Sequence, residues 1–266
     1  MLKITHTNAG FFSCCSKRLD NIVEFINKNK KLPDDVDSSE QFSLYKPEND
    51  KNRDITFDYF EHYDDKKNIE IHIPTRYHHN LQYRNYANLD YKGITQLIKK
   101  YFSPSKQINE IVNTIEKKYD IIYDNTLAVY YRGTDKGTET KITSFDDFYK
   151  KILEITNINK NIKILIQTDT AKFIDYINDK KLKNIVIINE NKTTYADKGI
   201  HKEQSQDTNY NDIFNFFSTL IIMSRCKYII CGSSNCSIWM MFYRGHNKNV
   251  IQNISNRLYN YGWYSS

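Results

Sequence analysis

The chain has little glycine and little proline, 8 and 4 residues in 266, and no Gly-x-Gly-x-x-Gly run. Its opening small-residue loop, Asn8 to Ser13, holds the single glycine Gly10, which is no dinucleotide fingerprint. No Cys-x-x-Cys pair occurs. The five cysteines, Cys14, Cys15, Cys226, Cys231 and Cys236, are odd in number and two of them are adjacent. This argues against a disulfide framework and a zinc site, and it predicts free thiols in a reducing, cytoplasmic compartment. No stretch approaches 18 uncharged apolar residues, so no membrane span is expected. The start, MLKITHTNAGFF, lacks the basic-then-apolar order of a secretory signal.

Tyrosine is abundant at 21 residues, and 26% charged against 39% hydrophobic residues marks a globular chain. The net charge is +6, but the lysines are scattered among acids. The longest basic clusters, Lys28 to Lys31 and Lys180 to Lys183, read as solvated ends of elements, so nucleic acid is not an expected partner.

Residues 2 to 7 read as a short strand. A helix is predicted from about Ser16 to Asn29, with Leu19, Ile22, Val23 and Ile26 on one face. Phe42 to Tyr45, Ile55 to Phe60 and Ile69 to Ile73 read as strands, the last preceded by a turn at Asp64 to Lys67. His78 and His79 stand in the aromatic segment RYHHNLQYRNY. A metal reading needs a third ligand at suitable spacing, and none is visible, so they are read as surface or acceptor-groove residues and no metal is expected. Two helices follow, near Gly93 to Tyr101 and after Pro104. Beyond Asn125 the alternation is regular. Strands at Leu127 to Tyr131, Ile162 to Ile166, Ile185 to Ile188 and Tyr228 to Cys231 are separated by helices, and Ser144 with Asp147 forms a capping box. Such alternation predicts a parallel sheet with right-handed crossovers.

In a sheet of this kind ligands bind outside the carboxyl ends of the strands. That gathers four loops: Arg132 to Glu139, Thr168 to Thr170, Asn189 to Asn209, and Gly232 to Asn235. Arg132 and Lys136 suit an anion, most simply a phosphate. The Gly232-Ser233-Ser234-Asn235 turn opens a helix whose amides and dipole favour the same anion, or else its small residues only cap the helix. Asp169 and Asp212 either accept bonds from a base or ribose or serve as caps.

The run Arg132-Gly133-Thr134-Asp135-Lys136-Gly137-Thr138-Glu139 resembles the donor-binding segment of the α1,6-fucosyltransferases, Arg-Arg-Thr-Asp-Lys-x-Gly-Thr-Glu. Ser224 to Asn235 is similar to that family's serine-rich strand-to-helix segment. Thr168-Asp169 resembles its Thr-Asp turn, and Gly199-Ile200-His201 is similar to a Gly-Leu-His in its long loop. The α1,2- and protein O-fucosyltransferases share the set more loosely. The resemblance covers about residues 126 to 245. Two departures stand out: the second arginine is Gly133, and the loop is one residue shorter before Gly137.

The resemblance implies a GT-B-like α/β fold of two Rossmann-like halves, 1–122 on the acceptor side and 123–266 binding a GDP-sugar. It implies inverting transfer from GDP-fucose to a glycan or protein hydroxyl without a metal or other cofactor. Arg132 would neutralise the departing phosphate, and Ser233 and Ser234 would hold the diphosphate beside Gly232 and Asn235. Asp169 and Asp212 would serve the guanosine end. Glu139 would be the general base, Lys136 its partner or a phosphate ligand, and Asp135 a brace. Asn8, Gly10 and His201 would be loop contacts. With no anchor in view, a cytoplasmic enzyme of bacterial or viral setting fits this pattern. Another GDP-sugar, a non-catalytic GDP or glycan binder, and an RNA-binding module are the competing readings. Acceptor identity, linkage and oligomeric state are not legible.

Overall fold

The computed structural model describes residues 1–5, 9–61, 69–255 and 260–266. The N-terminal half opens with one βαβ unit. Strands β1 (Leu2–Lys3) and β2 (Val36–Asp37) pair in parallel around helix α1 (Phe11–Asn29). Helix α1 begins five residues before the expected start because the apolar Phe11, Phe12, Cys14 and Cys15 are buried and extend its inner face. Helices α2 (Thr56–Tyr59), α3 (Tyr91–Tyr101) and α4 (Lys106–Lys118) follow.

Three expected strands of this half do not form. Ser43–Tyr45 is a 3₁₀ turn, Ile55 to Phe60 closes into the single turn α2, and residues 69–73 pair with no strand among the described residues. Their period-2 pattern reflects single aromatic side chains entering the core, such as Phe42, Tyr59 and Phe60, rather than a sheet face. The turn expected at Asp64 to Lys67 lies outside the described residues.

The C-terminal half is a six-stranded sheet. Its strands are β3 (Thr126–Tyr131), β4 (Lys163–Thr168), β5 (Ile185–Ile187), β6 (Tyr228–Gly232), β7 (Val250–Ser255) and β8 (Asn260–Ser265), in the order β5-β4-β3-β6-β7-β8. The first five are parallel and β8 is antiparallel to β7. Helices α5 (Phe145–Ile158), α6 (Ala171–Asp179), α7 (Gln206–Arg225) and α8 (Asn235–Arg244) cross between them. Along β3 the side chains alternate between two cores. Leu127, Val129 and Tyr131 meet Phe148, Ile152 and Phe173 of α5 and α6. Ala128 and Tyr130 face the other core, which α7 and α8 share with α1, α3 and α4. Both faces of the central strand are covered, as a parallel sheet requires.

Local chemistry fixes the ends of these helices. Ser144 Oγ accepts the Asp147 amide at 3.1 Å and caps α5. Gly245, at φ 77°, ends α8 in the left-handed conformation that glycine takes freely. Helix α7 starts at its cap Ser205, so Asp212 lies inside it rather than at its N-cap. Among the described residues no helix is long and apolar enough to cross a membrane.

The chain order reverses direction across the sheet between β3 and β6, with β4 and β5 to one side and β7 and β8 to the other. Loops leaving β3 and β6 therefore diverge and leave a crevice, the usual ligand position in such sheets.

Candidate active site

A cavity of about 690 Å³ fills this crevice, within the size range of small-ligand sites. It draws residues from all four loops gathered by the sequence. Arg132, Asp135, Lys136 and Glu139 line it after β3, Asp169 after β4, His201 and Asp212 from the long loop and α7, and Ser234 and Asn235 from the start of α8. Gly10 lines it from the N-terminal half. Gly232 and Ser233 are not among its lining residues. Asn8 lies outside the described residues.

Arg132 is the electrostatic centre. Its Nη2 donates to Asp135 Oδ1 at 2.7 Å, and its Nε lies 3.4 Å from Asp169 Oδ2. The Nε is buried and makes no hydrogen bond. Burial opposes the charge on this guanidinium, but the adjacent carboxylates hold it cationic. Burial raises the Asp135 pKa, yet Arg132 outweighs it and keeps the carboxyl below its usual range. Lys202 stands 3.7 Å away on the other side of Asp135.

Asp169 is occupied by its own loop. Its Oδ1 accepts the Gly133 amide at 2.8 Å and its Oδ2 accepts the Thr134 hydroxyl at 2.7 Å. It braces the arginine loop, and that engages the carboxylate expected at the guanosine end. Asp212 pairs with Lys192 at 2.8 Å on the cavity wall.

Gly133 has a steric explanation. A Cβ there would lie 2.8 Å from Thr170 Cγ2 and 2.9 Å from Tyr131 Cε1. Tyr131 stacks on Phe173 at 4.3 Å and is buried, so it has no slack. A second arginine has no room at this position. The Gly199 loop is equally tight, since a Cβ there would stand 2.6 Å from Asp135 Oδ2. Gly10 is different: a Cβ would find nothing nearer than the Tyr45 hydroxyl at 3.9 Å.

Glu139 is half-exposed and accepts from Lys136 Nζ at 2.5 Å and from the Tyr83 hydroxyl at 2.9 Å. Burial pushes its pKa up, and Lys136 and Tyr83 together more than reverse this, so its carboxyl is held below the ordinary value. Lys136 is buried under the Tyr83 ring, 5.1 Å from its centroid, and burial lowers its pKa against the pull of Glu139. A carboxylate bound in this way is a weak proton acceptor until one of its donors turns to a ligand. His201 stacks over Tyr45, and burial first and then Arg132 hold its imidazole toward the neutral form.

The helix-opening turn is built differently from expectation. Ser233 donates both its amide and its hydroxyl to the Asn253 carbonyl, at 3.0 and 3.2 Å. Ser234 Oγ caps α8 by accepting the Ser237 amide at 3.1 Å. Its own amide points to the Tyr86 hydroxyl at 3.4 Å. The donors this turn offers the cavity are the first-turn amides of Asn235 and Cys236, which have no acceptor within the helix. The Asn235 side chain is held by the Ser16 hydroxyl at 2.8 Å.

Residues outside the family motifs complete the site, His79 among them as the groove residue expected from the sequence. Tyr83 and His79 bring the aromatic segment to the cavity, Tyr45 lines it in a stack with His201, and Cys236 lines it next to Asn235. Gln252 on β7 secures that segment. It donates to the Arg84 carbonyl at 3.0 Å and accepts the Tyr86 amide at 3.0 Å. The only sequence signal for any of these was the tyrosine and histidine enrichment of RYHHNLQYRNY.

No protein-family model matches this chain. No curated protein matches it either. Solved structures do. The crystal structure of fucosyltransferase NodZ from Bradyrhizobium aligns over 94% of this chain and 94% of that one, with TM-score 0.58 and 10% identity. Its selenomethionine form aligns over 99% and 97%, with TM-score 0.53 and 9% identity. NodZ alpha-1,6-fucosyltransferase co-crystallized with GDP aligns over 59% of this chain and about half, 47%, of that chain, with TM-score 0.41 and 12% identity. The chain thus has the GT-B-like fold of the fucosyltransferase NodZ, mixed α/β with a mostly parallel six-stranded sheet flanked by helices.

Proposed function

We propose that the chain is a glycosyltransferase that takes a GDP-sugar, fucose as GDP-fucose in the first instance, and transfers the sugar with inversion to a hydroxyl of a glycan or protein. The observation that carries this reading is the common cavity of Arg132 and the first turn of α8. A guanidinium whose buried Nε makes no hydrogen bond, lining one cavity with the first turn of a helix, is a place for a diphosphate. In this reading Arg132 stabilises the charge that grows on the phosphate as the sugar leaves, without a metal ion at the leaving group. Asn235 and Cys236 hold the diphosphate by their amides, with Ser234 fixing the turn. Asp135 and Asp169 hold the arginine. Asp212 and the long loop face the nucleoside, and residues 1–122 supply the acceptor side. Lys136 turning from Glu139 to the phosphate would free the carboxylate to take the acceptor proton. The five buried free thiols support a reducing, cytoplasmic setting.

One observation favours a second reading, a GDP or glycan binder without turnover. Glu139 is tied down by two donors, and Gly133 leaves the leaving group one cation short. A thermal-shift screen against GDP, UDP, CMP and ADP sugars tests the shared premise, since a bound nucleotide raises the melting temperature by mass action. Stabilisation by the GDP series alone is expected. No shift with GDP at millimolar concentration would refute the transferase and the GDP binder alike. Release of labelled fucose from GDP-fucose then separates enzyme from binder.

A further inference from the structure

A second cluster stands at the rim of the cavity, apart from the residues assigned to the diphosphate. Asp20 on α1 meets His78 and His79, and one donor atom from each lies within 4.8 Å of the other two. The third ligand missing from the local sequence comes from 59 residues earlier in the chain. His79 Nδ1 is 3.1 Å from Asp20 Oδ2, and the two imidazole rings lie 4.2 Å apart, tilted by 35°. Two ligand atoms held about 2.1 Å from one ion at octahedral or tetrahedral angles are roughly 3.0–3.4 Å apart. The His79–Asp20 separation is therefore already that of two ligands on a shared ion, with the ion in place of the proton between them.

The surroundings agree with a cation. Asp20 is 15% exposed, and its nearest basic partner apart from His79 is Lys17, 3.9 Å away and itself 43% exposed. That lysine is at the outer limit of an ion pair and is nearly half in solvent, so it screens the carboxylate weakly. His78 Nδ1 accepts a long bond, 3.3 Å, from the Asn80 amide. Two imidazoles with one carboxylate suit zinc, cobalt or nickel, not magnesium or calcium, which prefer all-oxygen shells.

We propose that Asp20, His78 and His79 bind one divalent transition-metal ion of the zinc class. Three protein ligands leave the ion at least one open position. His79 also lines the large cavity, so the ion sits at its rim. The site neither needs nor supplies the diphosphate chemistry of Arg132.

The test uses the full chain without a histidine tag, stripped of metal and titrated with Co²⁺. One equivalent per chain is expected, with visible d–d absorption that Zn²⁺ abolishes by competition. His78→Ala and Asp20→Asn should each weaken Co²⁺ binding at least tenfold and leave the affinity for GDP within twofold. Circular dichroism checks that each variant is folded. Should a variant fail to fold, ¹⁵N imidazole NMR of the wild type decides, with Zn²⁺-induced shifts expected at His78 and His79. Absence of saturable Co²⁺ binding, binding unchanged by the substitutions, or shifts spread over the other histidines would overturn the proposal.

Discussion

Replacing Arg132 by alanine should weaken GDP binding and destabilise the fold, and the two effects can be separated. In the free protein the guanidinium joins two carboxylates that are 15% and 19% exposed on their side chains, at 2.7 and 3.4 Å. Asp169 would keep the Gly133 amide and Thr134 hydroxyl, while Asp135 would keep only Lys202 at 3.7 Å. Leaving that acceptor short of a partner costs about 1–3 kcal/mol, toward the low end because the arginine is a quarter exposed. The ligand loses a charge-assisted bond worth about 1.5–3 kcal/mol, which is about 10- to 150-fold in Kd. Calorimetric titration with GDP at a temperature where circular dichroism shows the variant fully folded measures the second term alone. Arg132→Lys keeps the charge but loses the planar fork, so its loss should be intermediate. A folded Arg132→Ala protein that binds GDP as tightly as wild type would refute the assignment of the anion site.

Gly133→Ala should cost about 1–3 kcal/mol by overpacking against Thr170 and Tyr131. Gly133→Arg should be less stable still and gain no GDP affinity; denaturant titration and calorimetry check both, and a tighter-binding Gly133→Arg would sink the steric account. Stability should fall in two stages on acidification. His201 is more easily protonated unfolded than folded, because burial and Arg132 lower its pKa, so stability declines as pH drops below about 6.5, and His201→Gln should flatten that stage. Asp135 and Glu139 are also held low, so their contribution is intact above about pH 4.5 and is lost below it as they protonate. Urea midpoints from pH 3 to 8 would reveal a flat profile if these pairings do not form.

The C-terminal sheet was readable because its signals are local. Strands β3, β4, β5 and β6 are short apolar runs between amphipathic helices, and Ser144 and Gly245 act within one turn of themselves. Strands β7 and β8 were passed over. Gln252 and Asn253 break the apolar run, and their polarity makes sense only through partners in distant segments. The expected strands at Ile55 to Phe60 and Ile69 to Ile73 failed for the opposite reason: local alternation had no neighbouring strand to pair with. Within the site, the motif brought Arg132, Asp135 and Glu139 to one cavity, but it did not foretell what each touches. Asp169 holds the Gly133 and Thr134 backbone and hydroxyl, and Ser233 is turned to Asn253, because satisfying a buried polar atom is a matter of three-dimensional neighbours. Asp20 could not be associated with His78 and His79 from spacing alone.

Gln252 threads the C-terminal sheet to the backbone of Arg84 and Tyr86, and Tyr86 in turn touches Ser234. Swinging the two halves apart would strip these contacts and wet the core that α1, α3 and α4 share with α7 and α8. The polar stretch between β5 and α7 adds Lys192 and His201 to the chamber wall. Gln252 and Tyr86 thus bolt the two halves into one body across the chamber's edge.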